Sequence, residues 1–296
     1  MFHPGESAAQ QRAGYGEVKA AIYSAMPDQH RQFFAGLRTL YLAASGDDGY
    51  PVASLVQGQP GFISTPEAGV LTLSHASLQE APLFPLLKTG MAIGGLGIDF
   101  SNRRRNRVNG VVGKVNEEGV EIRVEESFGN CPKYIQRREL PFGTQKGQVK
   151  LQRLEGLDAD ARYLLGAADT FFVASAAPRT NNAGGVDISH RGGMPGFLSL
   201  EQGRLRIPDY AGNRYMNTLG NLLMDSRCAL LILDFQQGAA LHIQGRAKID
   251  WQIGRGLTER CWYVEIDKIW RIRQLFPPTD LSVEYADSSL MAERGE

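Results

Sequence analysis

Short apolar runs divided by Gly, Asp and Pro fill most of the chain from Thr39 onward. Leu40 to Ala44, Val52 to Val56, Val70 to Leu73, Met91 to Ile93 and Val108 to Val115 are continuous or alternating in hydrophobicity, which predicts strands of a mostly antiparallel sheet. Runs of the same kind return at Thr170 to Ala174, Val186 to His190, Leu198 to Leu200, Leu205 to Ile207, Ala229 to Leu233 and Leu241 to Lys248. Ahead of them, Ala9, Ala13, Val18, Ala21, Ile22 and Met26 lie at near-helical spacing over Ser7 to Met26. Pro27-Asp28 breaks that pattern and Gln29 to Leu37 resumes it, so an N-terminal helical arm is expected. Asp158 to Ala168 reads as a helical linker with Asp158 as its N-cap. Short strands with one helix inserted per set predict small closed barrels rather than a doubly wound parallel sheet.

The two sets of strands are copies of one plan. Pro-Gly-Phe occurs at 60 to 62 and again at 195 to 197, and the same offset of 135 residues relates Asp99-Phe100 to Asp234-Phe235 and Gly110 to Gly245. Pro-Gly-Phe is read as a turn that buries Phe62 and Phe197, with no chemistry of its own. The expected organisation is a helical arm over 1–37, a first barrel over 38–150, a second over 151–277 and a C-terminal tail over 278–296, the boundary falling near Gly147 to Gly156. At 296 residues each half is large enough to bury a core.

Composition changes this picture little. Hydrophobic residues at 43%, charged residues at 22% and a formal charge of zero are those of an ordinary soluble protein, and they favour no polyanionic partner, which argues against nucleic acid. No apolar run reaches the roughly 18 residues of a membrane helix, and Met1 to Arg12 lacks the order of a signal peptide, so no membrane association and a cytoplasmic location are expected. Cys131, Cys228 and Cys261 have no close pairing and read as reduced thiols; His3, His30, His75 and His242 share no metal-ligand spacing, and no metal site is expected.

Candidate chemistry concentrates in the second half. Asp187-Ile188-Ser189-His190-Arg191-Gly192-Gly193 closes one strand, and Pro208-Asp209-Tyr210-Ala211-Gly212-Asn213-Arg214 follows another. Arginine forks, a serine hydroxyl and glycines that admit backbone N–H groups suit an anion such as a phosphate, and the helix opened by Asn217-Thr218-Leu219-Gly220-Asn221 would favour the same charge. Simple hairpin turns with solvated arginines would produce the same pattern. Under the 135-residue offset Ser189 falls on Ser54, but Arg191 falls on Val56, Tyr210 on His75, Arg214 on Gln79 and Asn217 on Pro82, so the first copy has lost the cradle. The first half instead carries Asn102-Arg103-Arg104-Arg105-Asn106-Arg107, opposite an uncharged stretch, 237–242, in the second. Four arginines in five residues repel one another unless they are solvated or meet an anion, and both readings stand. Cys131 beside Pro132 and Lys133 reads either as a structural thiol or as a redox-active one. The tryptophans, Trp251, Trp262 and Trp270, read as core or interface.

At these motifs the chain resembles the pyridoxamine 5'-phosphate oxidase-like superfamily of FMN-binding split barrels. The likeness rests on the Ser-His-Arg-Gly-Gly strand, the Pro-Asp-Tyr-Ala-Gly-Asn-Arg turn, the Asn-Thr-Leu-Gly-Asn-Leu helix and the strand from Leu241 to Ala247. In the first half, Phe128 to Arg138 and the arginine-rich strand resemble a bacterial branch with two such barrels, and the likeness spans roughly residues 30 to 275. It implies a mainly β fold of two tandem split barrels, with FMN held between them. Carried over position by position, it implies cofactor contacts from Ser189, His190, Arg191, Tyr210, Asn213, Arg214 and Asn217, and secondary ones from Arg104, Arg105 and Arg107, which alternatively serve an anionic substrate. Trp270-Arg271-Ile272-Arg273-Gln274 lacks the histidine of the oxidase's Arg-x-His motif, so pyridoxamine phosphate itself is not implied.

The function expected from the resemblance is an FMN-dependent oxidoreductase acting on a small molecule, with a nicotinamide donor and a homodimeric assembly; the flavin does the redox chemistry, so no acid-base pair need be visible. The alternative is a non-catalytic FMN-binding or haem-handling split barrel.

Overall fold

The chain, seen as a computed structural model, is described over residues 2–78, 81, 84–140, 148–180, 183–252, 258–279 and 282–294. Gln79 and Pro82, the first-half counterparts of Arg214 and Asn217, lie outside the described residues, as do Gly147 at the expected boundary and parts of the C-terminal tail.

The expected mainly β architecture is formed: two antiparallel sheets behind an N-terminal helical arm. The arm holds α1 (Pro4–Arg12) and α2 (Asp28–Ala35). The first sheet is built from β1 (Thr39–Ser45), β2 (Pro51–Gln57), β3 (Ile63–Glu67), β4 (Val70–Ser74), β5 (Ala92–Asp99), β6 (Arg104–Asn116) and β7 (Gly119–Gly129), with the single turn α3 (His75–Leu78) after β4. Then come β8 (Lys150–Leu154) and α4 (Ala159–Ala167), the latter N-capped by Asp158, whose side chain accepts from the Ala161 N–H. The second sheet comprises β9 (Thr170–Thr180), β10 (Ala183–Gly192), β11 (Ser199–Glu201), β12 (Arg204–Tyr210), β13 (Arg227–Asp234), β14 (Ala239–Asp250) and β15 (Thr258–Arg273). Between β12 and β13 lies α5 (Asn217–Met224), and α6 (Asp287–Arg294) follows β15.

The helical reading of Ser7 to Met26 is only partly realised. The helix stops at Arg12, because Gly14 takes a φ of 72° and ends the turn. Strands β3, β7, β8 and β15 fall outside the predicted runs, although Val120, Ile122 and Val124 in β7 and Val264 and Ile266 in β15 do alternate with charged residues, and Arg104 to Arg107 lie within β6 rather than in a loop.

Strand order proves the duplication. The first sheet runs β2-β1-β5-β6-β7-β4-β3 and the second β10-β9-β13-β14-β15-β12-β11, the same topology twice, with β8 added against β15. Register agrees. A row across the first sheet reads Leu55, Tyr41, Leu96, Arg107, Phe128, and its equivalent in the second reads His190, Phe172, Leu231, His242, Trp270. The paired glycines sit at paired bulges, between Asn109 and Gly110 and between Gln244 and Gly245. Both Pro-Gly-Phe copies turn alike: Phe62 N–H donates to Gln59 and Phe197 N–H to Met194, each at 3.0 Å, with φ of 97° at Gly61 and 91° at Gly196. Pro followed by a positive-φ Gly is the demand of a type II turn.

The apolar runs are continuous because both faces of the central strands are buried. In β1, Leu40, Leu42 and Ala44 enter the core of the first half, while Tyr41 and Ala43 enter a third core shared between halves. In β9, Phe171 and Val173 face inward while Phe172 and Ala174 join the shared core. Period-two alternation thus sorts one strand between two hydrophobic environments. At the centre of the shared core the equivalent residues Tyr41 and Phe172 stack with ring centroids 3.5 Å apart, and Phe100 meets its counterpart Phe235 at 6.1 Å. The two halves are fused through an apolar interface, which fixes one half against the other and with it the cleft between them.

Candidate functional site

The cleft lies where β6 and the segment after β7 meet β10, the β12 end and α5. It holds about 860 Å³ of space free of protein atoms, its open mouth included. Strand alternation sets the walls. Arg105 and Arg107, two apart on β6, face the second half, and Asp187, Ser189 and Arg191 share one face of β10. Arg107 is buried; its Nη1 donates to Asp187 at 2.7 Å and its Nη2 to the Ser189 hydroxyl. Asp187 also accepts from Asn109 at 3.0 Å and Asn221 at 3.1 Å.

Of the ten residues singled out from the sequence, nine line this cleft: Arg105, Arg107, Ser189, His190, Arg191, Tyr210, Asn213, Arg214 and Asn217. Arg104 does not. It projects on the opposite side of β6, exposed, with its guanidinium 5.3 Å from the Phe33 ring centroid.

Several cradle groups are already engaged within the chain. Arg191 pairs with Asp209, which also accepts from Arg260 at 2.7 Å; the Asn217 amide donates to Glu6 of α1; Arg214 lies 5.1 Å over the Tyr15 ring. Arg105 differs. Among the described residues its contacts are the His190 ring at 3.0 Å, the His190 carbonyl at 3.5 Å and Cys131 Sγ at 3.9 Å; no carboxylate pairs with it there, and its buried Nε has no partner. Burial, with Arg107 and Arg191 nearby, lowers this guanidinium to about 10, although Cys131 acts the other way. A cation so destabilised is waiting on negative charge.

His190 is informative in the same sense. Arg105 can only donate, so Nδ1 of His190 accepts and its proton sits on Nε2, a buried donor with no partner among the described residues. Burial first, then Arg105, Arg138 and Arg191, hold the imidazole well below its ordinary pKa and therefore neutral. Among the described residues the lining carries six cationic side chains, Arg105, Arg107, Lys133, Arg191, Arg214 and Arg260, against the single carboxylate of Asp209, and that imbalance selects for an anion.

The aromatic wall is Tyr134 stacked on Tyr210, centroids 5.1 Å apart, with the Tyr134 hydroxyl donating to Ala211 O at 3.0 Å. Backbone strain gathers here too: Tyr134 (φ 64°), Arg214 (φ 65°) and Met216 (φ 62°) line the cleft, half of the six non-glycine residues with positive φ among those described. Such strain concentrates at sites that position ligands.

Tyr15 and Arg260 had no signal in the sequence. The Arg260 Nη2 donates to the Tyr15 hydroxyl at 2.9 Å, which joins the N-terminal arm to β15 at the cleft wall. The arm reaches this place because glycines face each other where α1 crosses α5: a Cβ on Gly5 would lie 2.3 Å from Gly220 O, and one on Gly220 would lie 2.6 Å from Glu6 Cα. His3 Nε2 then bonds Asn221 Oδ1 at 2.8 Å.

No family model matches this chain, and no curated protein matches it. Among solved structures it is similar over about two fifths of its length to several proteins, among them these three. HupZ of Group A Streptococcus is 10% identical over 38% of this chain and 90% of its own, with a TM-score of 0.30. A putative pyridoxamine 5'-phosphate oxidase from Lactobacillus delbrueckii is 13% identical over 40% of this chain and 98% of its own, with a TM-score of 0.30. An FAD-binding protein from Mesorhizobium loti is 10% identical over 42% of this chain and 97% of its own, with a TM-score of 0.28. None of the described helices is long and apolar enough to cross a membrane.

Proposed function

We propose that the chain binds FMN in the cleft between its halves and works as an FMN-dependent oxidoreductase on a small molecule, drawing electrons from a nicotinamide donor. The observation that carries this reading is the Arg105–His190 pair: among the described residues, a guanidinium with no carboxylate partner beside a neutral imidazole whose buried Nε2–H has no partner. Both are donors in want of an oxyanion, and a flavin phosphate or a ring carbonyl supplies one.

The residues present suit the group. Arg105 and Lys133 from the first half and Ser189 and Arg214 from the second offer charge and hydrogen bonds for a phosphate, and the Tyr134–Tyr210 stack offers an apolar face for a ring system. Bound flavin would supply hydride or single-electron transfer. The chain's part is to grip, orient and desolvate. Arg107, locked onto Asp187 and Ser189, holds the two walls at fixed separation, and His190, kept neutral, donates through Nε2 without adding charge.

The test is the visible spectrum of the purified protein, with mass spectrometry of any small molecule released on denaturation and a titration with added FMN. Flavin bands that bleach under NADH or NADPH are expected. A protein that is colourless and takes up no FMN overturns the proposal, and bound FMN that neither donor reduces overturns the oxidoreductase part alone.

A further inference from the structure

The duplicated architecture offers two equivalent places for a ligand, interchanged when the two halves, which meet at the Tyr41–Phe172 stack, exchange roles. We propose that only one of them binds: a single chain is a complete, one-sided unit that takes one flavin, its second site having been closed by the chain's own side chains. This deepens the FMN reading above and rests on it.

Register fixes which residues correspond. Arg107 and His242 occupy the same position in their rows, as do Leu55 and His190. Two residues back along β6 and β14, Arg105 corresponds to Ala240, and one residue on along β2 and β10, Val56 corresponds to Arg191. The cleft draws Arg105 and Arg107 from the first half and His190 and Arg191 from the second; the equivalent position draws Ala240 and His242 from the second half and Leu55 and Val56 from the first. Three cationic side chains and a polar one on the first side are thus replaced by three aliphatic residues and a histidine on the other.

The second position is also filled. Leu55, Val56 and Ala240 are 3%, 1% and 1% exposed, and the segment after β15 brings Leu275 and Phe276, each 2% exposed, into the same shared core as Leu55 and Ala240. The Gln57 amide donates to Leu275 O and pins that segment down. Where Arg107 reaches across to two side chains of the other half, His242 reaches across to backbone, its Nε2 accepting from the Ala53 N–H at 3.1 Å. Burial lowers His242 to about 4, so it is neutral and cannot substitute for the lost arginine. A phosphate placed there would surrender its hydration and, among the described residues at this position, meet no cation.

Both walls of the competent cleft, by contrast, come from one chain. The site needs no residue from a second copy, whatever the assembly in solution.

The experiment is the binding stoichiometry of the full-length protein: FMN titrated into protein stripped of bound small molecules, followed by flavin fluorescence and calorimetry, for the natural chain and Arg105→Ala. One FMN per chain, with affinity reduced at least tenfold by Arg105→Ala, is expected. Two FMN per chain, or one whose affinity is untouched by Arg105→Ala, overturns the one-sided assignment while leaving FMN binding intact. No uptake by the natural chain overturns the FMN reading and this inference together.

Discussion

Arg107 of the first half and Asp187 of the second form a buried ion pair at 2.7 Å, and this pair ties together the two walls of the cleft. The two residues are 2% and 7% exposed, so neither charge can be left to water if the other is removed. Arg107 also donates to Ser189, and Asp187 also accepts from Asn109 and Asn221. Arg107→Ala is therefore expected to cost about 3–5 kcal/mol of stability, the usual consequence of stranding a buried charge. Chemical denaturation measures it; a loss below about 1 kcal/mol would mean that water reaches Asp187 and that the pair does not hold the halves together.

Arg105 should behave in the opposite way. Among the described residues it has no carboxylate partner, and its charge is destabilised by burial and by neighbouring cations, so Arg105→Ala should leave the melting temperature unchanged or raised. FMN affinity should nevertheless fall by about 1.5–3 kcal/mol, the worth of a hydrogen bond to a charged group. Thermal unfolding and FMN titration of the same sample separate the two effects, and a parallel loss of stability would instead identify Arg105 as structural.

The N-terminal arm should detach as pH rises. Burial, reinforced by the Asp187 charge, raises the Glu6 carboxyl from 4.5 to about 8. A docked form that keeps its proton to higher pH than the undocked form loses docking strength across the interval between those values, then no further above it. His3, lowered by burial, works in the other sense and weakens docking as pH falls through its ordinary range. Glu6→Gln should abolish the alkaline weakening and leave the acid-side loss. Hydrogen exchange over residues 2–15 from pH 5 to about 9 reads both limbs, and an unchanged alkaline limb in Glu6→Gln would show that another group governs the arm.

The paired bulge glycines should be equally intolerant. A Cβ on Gly110 would lie 1.9 Å from Arg123 O, and one on Gly245 would lie 2.3 Å from Glu265 O, both fixed backbone atoms. Gly110→Ala and Gly245→Ala should each cost roughly 2–4 kcal/mol. Denaturation of the two variants side by side checks this, and a neutral result at either position would break the equivalence of the bulges.

Local chemistry made the duplication and most of the cleft legible in the sequence. Pro-Gly-Phe pointed to a turn, apolar runs bounded by Gly and Asp to strands, and arginines beside glycines to an anion site or to solvated turns; nine of the ten candidate residues line one cleft. Tertiary structure decided what depends on partners distant in the chain. Arg104 and Arg105 are adjacent and chemically alike, and only the pleat of β6 sends one to Phe33 and the other to His190. Arg191 and Asn217 offered free donors on paper, but Asp209 and Glu6 already meet them. Tyr15 enters the site only because α1 crosses α5 at Gly5 and Gly220. The sequence by itself determined the repeated fold and the cationic residues that line the cleft, since turns, alternation and residue type are properties of neighbours in the chain. Which donors stay unpaired, and which of two equivalent sites remains open, was decided by packing between halves more than a hundred residues apart, where only the assembled core sets the distances.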